Sequence, residues 1–200
     1  MLKNKQEIEN WLNEIEIENF TINNDLTVDV DGDVDLSSEG LTEIPVQFNK
    51  INGWFDCNGN EKLKSLKGCP QIGVIHFHCY NCDLRDLEGV PKEIDGWFEC
   101  GENEKLKSLK GCPQIGVTNF YCNKCDLRDL EGVPKEIEDW FNCEDNKNLK
   151  SPKYAPKSEE YLWSKSIPEL KYKLYEKLIN EIDYDEIQEI WDDYAGIFAI

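Results

Sequence analysis

Basic side chains are scarce in this chain. Only 22 Lys and Arg stand against 41 Asp and Glu in 200 residues, a formal net charge of −19. Phosphate contacts need cations, so nucleic acid is excluded as a direct partner. A basic protein surface stays open, as does mimicry of nucleic acid toward a protein that binds it. No apolar run approaches the ~20 residues that span a membrane. The N-terminus MLKNKQEIENW has no apolar signal-peptide core. There is no Gly-rich phosphate loop and no Ser/His elbow, and the two histidines, His76 and His78, lie on one short stretch. These absences point away from an enzyme, a cofactor and a membrane, and toward a cytoplasmic protein.

Cysteine, in contrast, is plentiful. Nine residues without an export signal read as reduced thiols, and an odd number argues against a closed disulfide framework. Two of them fall in HFHCYNC, residues 76–82, beside both histidines and with the CxxC spacing of a zinc site. A repeat decides the matter. Residues 53–95 recur as 96–138, and a third copy begins at DWFNCEDNKNLKSP, 139–152. Each unit is two similar halves. Phe55, Phe77, Phe98, Phe120 and Phe141 recur at alternating spacings of 22 and 21, each followed two residues later by Cys57, Cys79, Cys100, Cys122 or Cys143. Leu63, Leu84, Leu106, Leu127 and Leu149 keep the same interval. Val34, Leu36, Leu41 and Ile44 look like a degenerate earlier turn.

This pattern resembles the leucine-rich repeat, L-x-x-L-x-L-x-x-N/C-x-L. Phe77 and Cys79 match its strand leucines, Cys82 its Asn/Cys position and Leu84 the next leucine, while Asn60 and Asn103 take the Asn/Cys position in the other half. The GCP and GVP turns and the F-x-C strands are similar to those of small leucine-rich-repeat proteins of bacteria and their phages. The resemblance implies an α/β solenoid: a short leucine-rich-repeat array, about six turns over 33–157, with a parallel β-sheet on its concave face and helical caps at both ends. In such a strand alternate residues point inward, so Phe77 and Cys79 are expected in the core and His76 and His78 outside. The matching stretch NFYCNKC, 119–125, keeps both cysteines and neither histidine. Cys69 and Cys112 alternate with Val90 and Val133 at one turn position. All nine cysteines are therefore expected as packing groups and no metal is assigned.

The open ends of a solenoid need caps. In the first, 1–32, Ile8, Trp11, Leu12 and Ile15 share one face of a helix expected over 5–18. In TVDVDGDVDL, 27–36, Gly32 and Gly40 fall at the wrong places for an EF-hand loop. Val28, Val30, Val34 and Leu36 are instead expected inward, with Asp29, Asp31, Asp33 and Asp35 on the other face. The segment 158–200 reads as a helical cap. Ser166-Ile-Pro-Glu169 has the form of a capping box. Leu170, Leu174, Leu178 and Ile182 form a stripe, and a second helix from Asp183 carries Ile187, Ile190, Trp191 and Tyr194 on one face. The apolar tail, Ile197 to Ile200, is expected either to pack in the core or to dock on a second copy as a homo-oligomer contact. Charge concentrates at the ends: net −9 over 1–53 and −7 over 158–200, against −3 between them.

The two complete units differ at nine positions: Asp56/Glu99, Asn58/Gly101, Gly59/Glu102, Ile75/Thr118, His76/Asn119, His78/Tyr121, Tyr80/Asn123, Asn81/Lys124 and Asp95/Glu138. Eight of these fall on the ten positions that the resemblance places on the concave sheet, where random placement puts about two. Exposed positions elsewhere, Lys62, Lys64, Arg85 and Glu88 among them, are identical in both copies. Trp54, Trp97 and Trp140 stay constant on the same face, alternating with His76 and Asn119 about two strand spacings, ~10 Å, apart. Asp56, His78, Glu99, Tyr121 and Asn142, continuing from Asp35, form the adjoining column. With Tyr80 and Asn123, these residues make up the expected partner-binding surface, and aromatic anchors beside carboxylates suit a protein bearing Lys or Arg. The expected function is a non-enzymatic protein-binding module, a phage-type inhibitor of a host defence complex acting in the host cytoplasm if phage-encoded. The alternative is an acidic nucleic-acid mimic acting through its caps.

Overall fold

One short strand per turn, with an aromatic at its centre from Phe55 to Tyr161 and outward residues on either side, lets each such turn bring a ring inward and hydrogen-bond its backbone to its neighbours. The computed structural model describes residues 1–193. After helix α1 (Lys5–Glu14) come strands β1 (Phe20–Ile22), β2 (Thr27–Val30), β3 (Val34–Asp35), β4 (Gln47–Asp56), β5 (Ile72–His78), β6 (Trp97–Glu99), β7 (Asn119–Tyr121), β8 (Trp140–Asn142) and β9 (Glu160–Leu162). Helices α2 (Glu169–Ile179) and α3 (Tyr184–Asp193) close the described chain. Strands β4 to β9 pair in parallel in sequence order, with β2 and β3 both parallel to β4 and β1 antiparallel to β2. The result is a β-solenoid whose turns are 21–22 residues long. The α/β expectation narrows here: among the described residues helices occur at the two ends and none lies within the turns.

Strand register is in phase with the repeat. Phe55 pairs with Phe77, Phe77 with Phe98, Phe98 with Phe120 and Phe120 with Phe141. Their rings form an inner ladder with centroids 5.4, 6.0, 5.1 and 6.0 Å apart. All nine cysteines are buried free thiols, with Val90 and Val133 buried in alternation with Cys69 and Cys112 as expected. Burial pushes seven of the thiols up, and Cys57 is raised first by the neighbouring Cys82 thiol and then by burial.

A second ladder alternates Asn60, Cys82, Asn103, Cys125 and Asn146. Asn103 Nδ2 donates to the carbonyls of Cys79 and Cys100, and its Oδ1 accepts the Leu84 N–H at 3.1 Å. Asn60 and Asn146 repeat the arrangement with Leu41 and Leu127. Cys82 and Cys125 donate to the carbonyls of Cys57 and Cys100, and neither accepts a leucine N–H. The one extra residue in each asparagine half explains the alternation. It lets Leu63 and Leu106 return their N–H groups to the carbonyls of Asn60 and Asn103 within their own turns. The next turn then needs no acceptor, and a thiol suffices. In the shorter cysteine halves the leucine N–H looks to the asparagine one turn ahead.

Helix α1 buries Ile8 and Leu12 with Trp11 and Ile15 packed alongside, the face expected. It ends four residues short of the expected 18, for a local reason. Glu16 takes the left-handed φ of +59°, Ile17 N–H reaches the Leu12 carbonyl and Glu16 N–H that of Asn13, the Schellman pattern. Val28, Val30, Val34 and Leu36 are buried, as the alternation requires.

The C-terminal segment departs from expectation in three places. Residues 160–162 form a strand, β9, where helix was expected, because Tyr161 continues the Phe ladder opposite Phe141. The capping box does not form: α2 starts at Glu169 without a side-chain cap, and the Ser166 hydroxyl instead lies between the carbonyls of Asn146 and Leu149, either of which can accept its proton, tying the cap to the last turn. The buried face of α2 centres on Tyr175 and Ile179, with Leu174, Leu178 and Ile182 half-buried at its margin. Tyr175 takes the centre because its hydroxyl reaches the Ala155 carbonyl and receives Gln188 Nε2. Ile187 and Trp191 of α3 are buried, and Trp191 Nε1 donates to Ser151. These helices cover the end of the solenoid. Tyr194 and the tail from Ile197 to Ile200 lie outside the described residues.

Candidate partner-binding face

The strands' outward residues form two columns. In the first, Trp97 pairs with Asn119 and Asn119 with Trp140. His76 and Trp54 continue this column one and two turns earlier. In the second, Asp35, Asp56, His78, Glu99, Tyr121 and Asn142 follow one another in unbroken register. The three tryptophans are exposed, at 40 % for Trp54, 44 % for Trp97 and 37 % for Trp140. An indole so placed leaves a large apolar area in water, which burial against a partner would recover.

The histidines bind the columns together. His76 stacks on His78 with centroids 6.1 Å apart and lies against Trp97 at 5.4 Å, while His78 meets the edge of Trp54 at 6.4 Å. His76 Nδ1 accepts the Trp97 backbone N–H, which makes Nδ1 the unprotonated nitrogen. Burial, then the neighbouring His78, lowers its affinity for a proton. His78 Nδ1 stands 3.8 Å from Asp56 Oδ2, and its Nε2 is buried without a hydrogen-bond partner. Glu99 is half-buried, and desolvation raises its carboxyl above the usual value, with Asp56 adding to the rise and His78 opposing it. Burial likewise raises the phenols of Tyr80 and Tyr121. Among the described residues, no group of three or more His, Cys, Asp or Glu is arranged to hold a metal ion.

One member of the expected surface is corrected. Asn119 is buried, at 5 % exposure, and its Oδ1 accepts from Thr118 Oγ1. It is the floor between two indoles, a consequence of a short side chain between long ones. Others have structural duties beside their exposure: Asp56 Oδ1 caps the Asn58 N–H and Asn142 Oδ1 the Glu144 N–H, each turning the chain out of its strand.

The cap aspartates are similarly engaged. Asp29 accepts from Asn23, from Asn49 Nδ2 at 2.7 Å and from the Lys50 N–H, and these bonds hold its carboxyl below the usual range. Asp31 accepts from Asn52, and Asp33 accepts the Trp54 N–H at 2.9 Å.

Gly101 and Glu102 belong to the face and were absent from the expected set. The signal was present, since both lie among the positions where the two units differ. No helix among the described residues is long and apolar enough to cross a membrane. Compared with known proteins, the chain matches no family model, no curated protein and no solved structure.

Proposed function

We propose that this chain is a non-enzymatic protein-binding module, built as an atypical leucine-rich-repeat array, that engages its partner through the outward, concave face of its parallel sheet. One observation carries the proposal: between two otherwise identical units, substitution concentrates on the face that presents three exposed tryptophans in register. Drift alone would spread change over the turns as well, where Lys62, Arg85 and Glu88 match their counterparts. Exposed indoles on a rigid sheet suit the anchor role that tryptophan has in protein interfaces. Its acidity, and the resemblance of its GCP and GVP turns and F-x-C strands to those of small bacterial and phage repeat proteins, favour an inhibitor of a host defence complex, working in the host cytoplasm.

The mimic reading draws less support. A mimic needs free carboxylates in an array, whereas Asp29, Asp31 and Asp33 spend theirs holding the next turn.

The test begins with affinity purification from the native host and a dissociation constant for the partner so obtained. Trp97→Ala is expected to weaken binding by about 2 kcal/mol or more, roughly 30-fold. Full affinity in Trp97→Ala, with loss on neutralising Asp29, Asp31, Asp33 and Asp35 together, would overturn the proposal in favour of the acidic cap.

A further inference from the structure

A cleft of about 190 Å³ opens on the outward face between the ends of β5, β6 and β7, lined by Tyr80, Glu99, Gly101, Glu102, Tyr121 and Asn123. Every one of these six residues occupies a position where the two units differ. Shift the cleft back by one unit and its walls become other residues: Asp56 for Glu99, Asn58 for Gly101, Gly59 for Glu102, His78 for Tyr121 and Tyr80 for Asn123.

The Asn58/Gly101 exchange accounts for the opening. The Asn58 side chain is buried in its turn and accepts the Tyr80 N–H at 2.8 Å. A Cβ on Gly101 would stand 2.8 Å from Asn123 Oδ1 and 3.0 Å from the Asn123 carbonyl oxygen. A side chain there would require the Asn123 side chain to swing away and its backbone to give by a few tenths of an ångström. The pairs Asn58 with Tyr80 and Gly101 with Asn123 are thus two solutions, one filled and one open.

Size and chemistry narrow the occupant. The cleft has room for roughly six waters at ~30 Å³ each, below the ~300–1,000 Å³ of small-molecule pockets. One side-chain head group fits. The walls are two phenol rings and a bare stretch of backbone. Its charge is that of Glu99 and Glu102. Glu102 pairs with Lys124 Nζ at 2.7 Å across a partly exposed gap, a contact of the kind that exchanges readily with solvent or a partner. Glu99 is half-buried and has no lysine or arginine partner among the described residues, and desolvation has raised its carboxyl. A carboxylate withdrawn from water beside aromatic faces favours a cation, through a charge-assisted hydrogen bond and the ring quadrupole. An anion would meet two carboxylates, and an apolar group would leave Glu99 desolvated and unpaired.

We infer that this cleft receives one cationic side chain of the protein partner, an arginine, whose planar guanidinium can lie against a phenol while its fork reaches Glu99. The inference rests on the protein-binding reading above and adds to it the partner's chemistry at one place. The tryptophan column supplies the area, and the cleft selects a basic residue at its flank.

The test titrates the full chain, ¹⁵N-labelled at low salt, with N-acetyl-arginine amide and with the neutral isostere N-acetyl-citrulline amide. The arginine compound is expected to shift the amides of Tyr80, Gly101 and Asn123 saturably, and the citrulline compound to leave them in place. Glu99→Gln should weaken the response at least tenfold, whereas Glu88→Gln, on the far side of the turn, should not change it. The double variant Gly101→Asn with Asn123→Tyr, which restores the filled pair of the first unit, should abolish it without lowering the melting temperature. Shifts spread over the acidic surface, or a response unchanged in Glu99→Gln or in the double variant, would overturn the inference. With the purified partner the two proposals separate. Loss of binding in Trp97→Ala with full binding in Glu99→Gln sinks the cleft and leaves the module, whereas full binding in Trp97→Ala sinks the module whatever the arginine compound does.

Discussion

The Nδ1 atom of His76 accepts the backbone N–H of Trp97 at 2.9 Å, one turn ahead. Asp33 Oδ1 does the same for Trp54 at the same distance. Both contacts depend on the glycine that precedes each tryptophan. A Cβ on Gly96 would stand 2.5 Å from His76 Nδ1, and one on Gly53 would stand 2.1 Å from Asp33 Oδ1. At the third turn the pair changes together: Asp139 replaces glycine, and Asn119 stands where the histidine stood. An acceptor from the preceding turn therefore fixes the strand entry of Trp54 and Trp97, and with it the direction of each indole.

This contact makes stability depend on pH. Protonating Nδ1 removes the acceptor, and burial together with His78 lowers the native affinity of His76 for that proton. As pH falls through the ordinary imidazole range near 6.5, the unfolded chain binds the proton before the native chain does. Stability is therefore lost on acidification, and the loss levels off below the depressed native value. Urea midpoints at pH 7.5 and pH 5 should differ more in the natural chain than in His76→Asn, the residue the second unit carries. Equal differences would show that His76 does not titrate between the two states.

Glu99 titrates in the opposite sense. Its native carboxyl is raised by desolvation, so the folded chain holds the proton after the unfolded chain has released it. The neutral form favours the fold, and that advantage fades as pH rises through the raised native value. Glu99→Gln, neutral at every pH, should be more stable than the natural chain at pH 7 and equal to it well below pH 4.5, the ordinary value. A variant less stable at pH 7 would mean that the Glu99 carboxylate has a favourable partner.

The asparagine ladder gives a sharper test of the fold. Asn103 Oδ1 is the acceptor for the buried Leu84 N–H, and its Nδ2 serves two buried carbonyls. Asn103→Ala should cost several kcal/mol, at about 1–3 kcal/mol for each buried group left unpaired. Asn103→Cys should fail nearly as badly even though cysteine occupies the same position at Cys82, because a thiol can donate but accepts poorly. Chemical denaturation that places Asn103→Cys within experimental error of the natural chain would refute this account of the alternation.

Much of this fold was legible from the repeat because its two signals agree. The 21–22-residue interval sets the turn, and the F-x-C alternation sets which side chains point inward, so the sequence alone places Phe77, Cys79 and the outward tryptophans. The sequence was less informative where one residue took an unexpected partner. Ser166 reads as a helix cap and instead bonds back to Asn146 and Leu149. Tyr161 sits in a segment of helical character and joins the sheet because the Phe ladder leaves a ring-sized place beside Phe141. Asn119 is outward by register and still buried, since exposure depends on the length of its neighbours as well as on direction. The cleft at Gly101 is a missing side chain, and only the comparison of the two units hinted at it.

Adjacent residues on one strand should separate stability from binding. Phe98 is fully buried, with Phe77 and Phe120 on either side, whereas Trp97 is exposed. Phe98→Ala should cost about 3–5 kcal/mol through the cavity it leaves. Trp97→Ala should cost far less, because its backbone contact to His76 survives the substitution. Equal losses on thermal unfolding would mean that the indole packs as part of the core.

Thiol reactivity should single out one cysteine of the nine. Cys82 and its counterpart Cys125 occupy the same position in the two units, at 8 % and 7 % exposure, and each donates to a carbonyl one turn back. Their acidities nevertheless diverge. The Cys57 thiol, helped by the Asn60 backbone and opposed by burial, draws Cys82 below the ordinary thiol value, whereas burial pushes Cys125 up to about 12. Each also borders a surface cleft, Cys82 beside Asn81 and Asp83 and Cys125 beside Lys124 and Asp126, so a reagent can approach either. The thiolate is the reactive form, and equal exposure with unequal acidity makes Cys125 an internal control. Iodoacetamide applied to the native chain at pH 8 should label Cys82 first, as mapped by peptide mass, and the other eight only after unfolding. Cys57→Ala removes the neighbouring thiol and should slow labelling of Cys82 toward the rate at Cys125. Equal native rates at Cys82 and Cys125 would show that exposure alone governs access, and that the Cys57 contact has no chemical consequence.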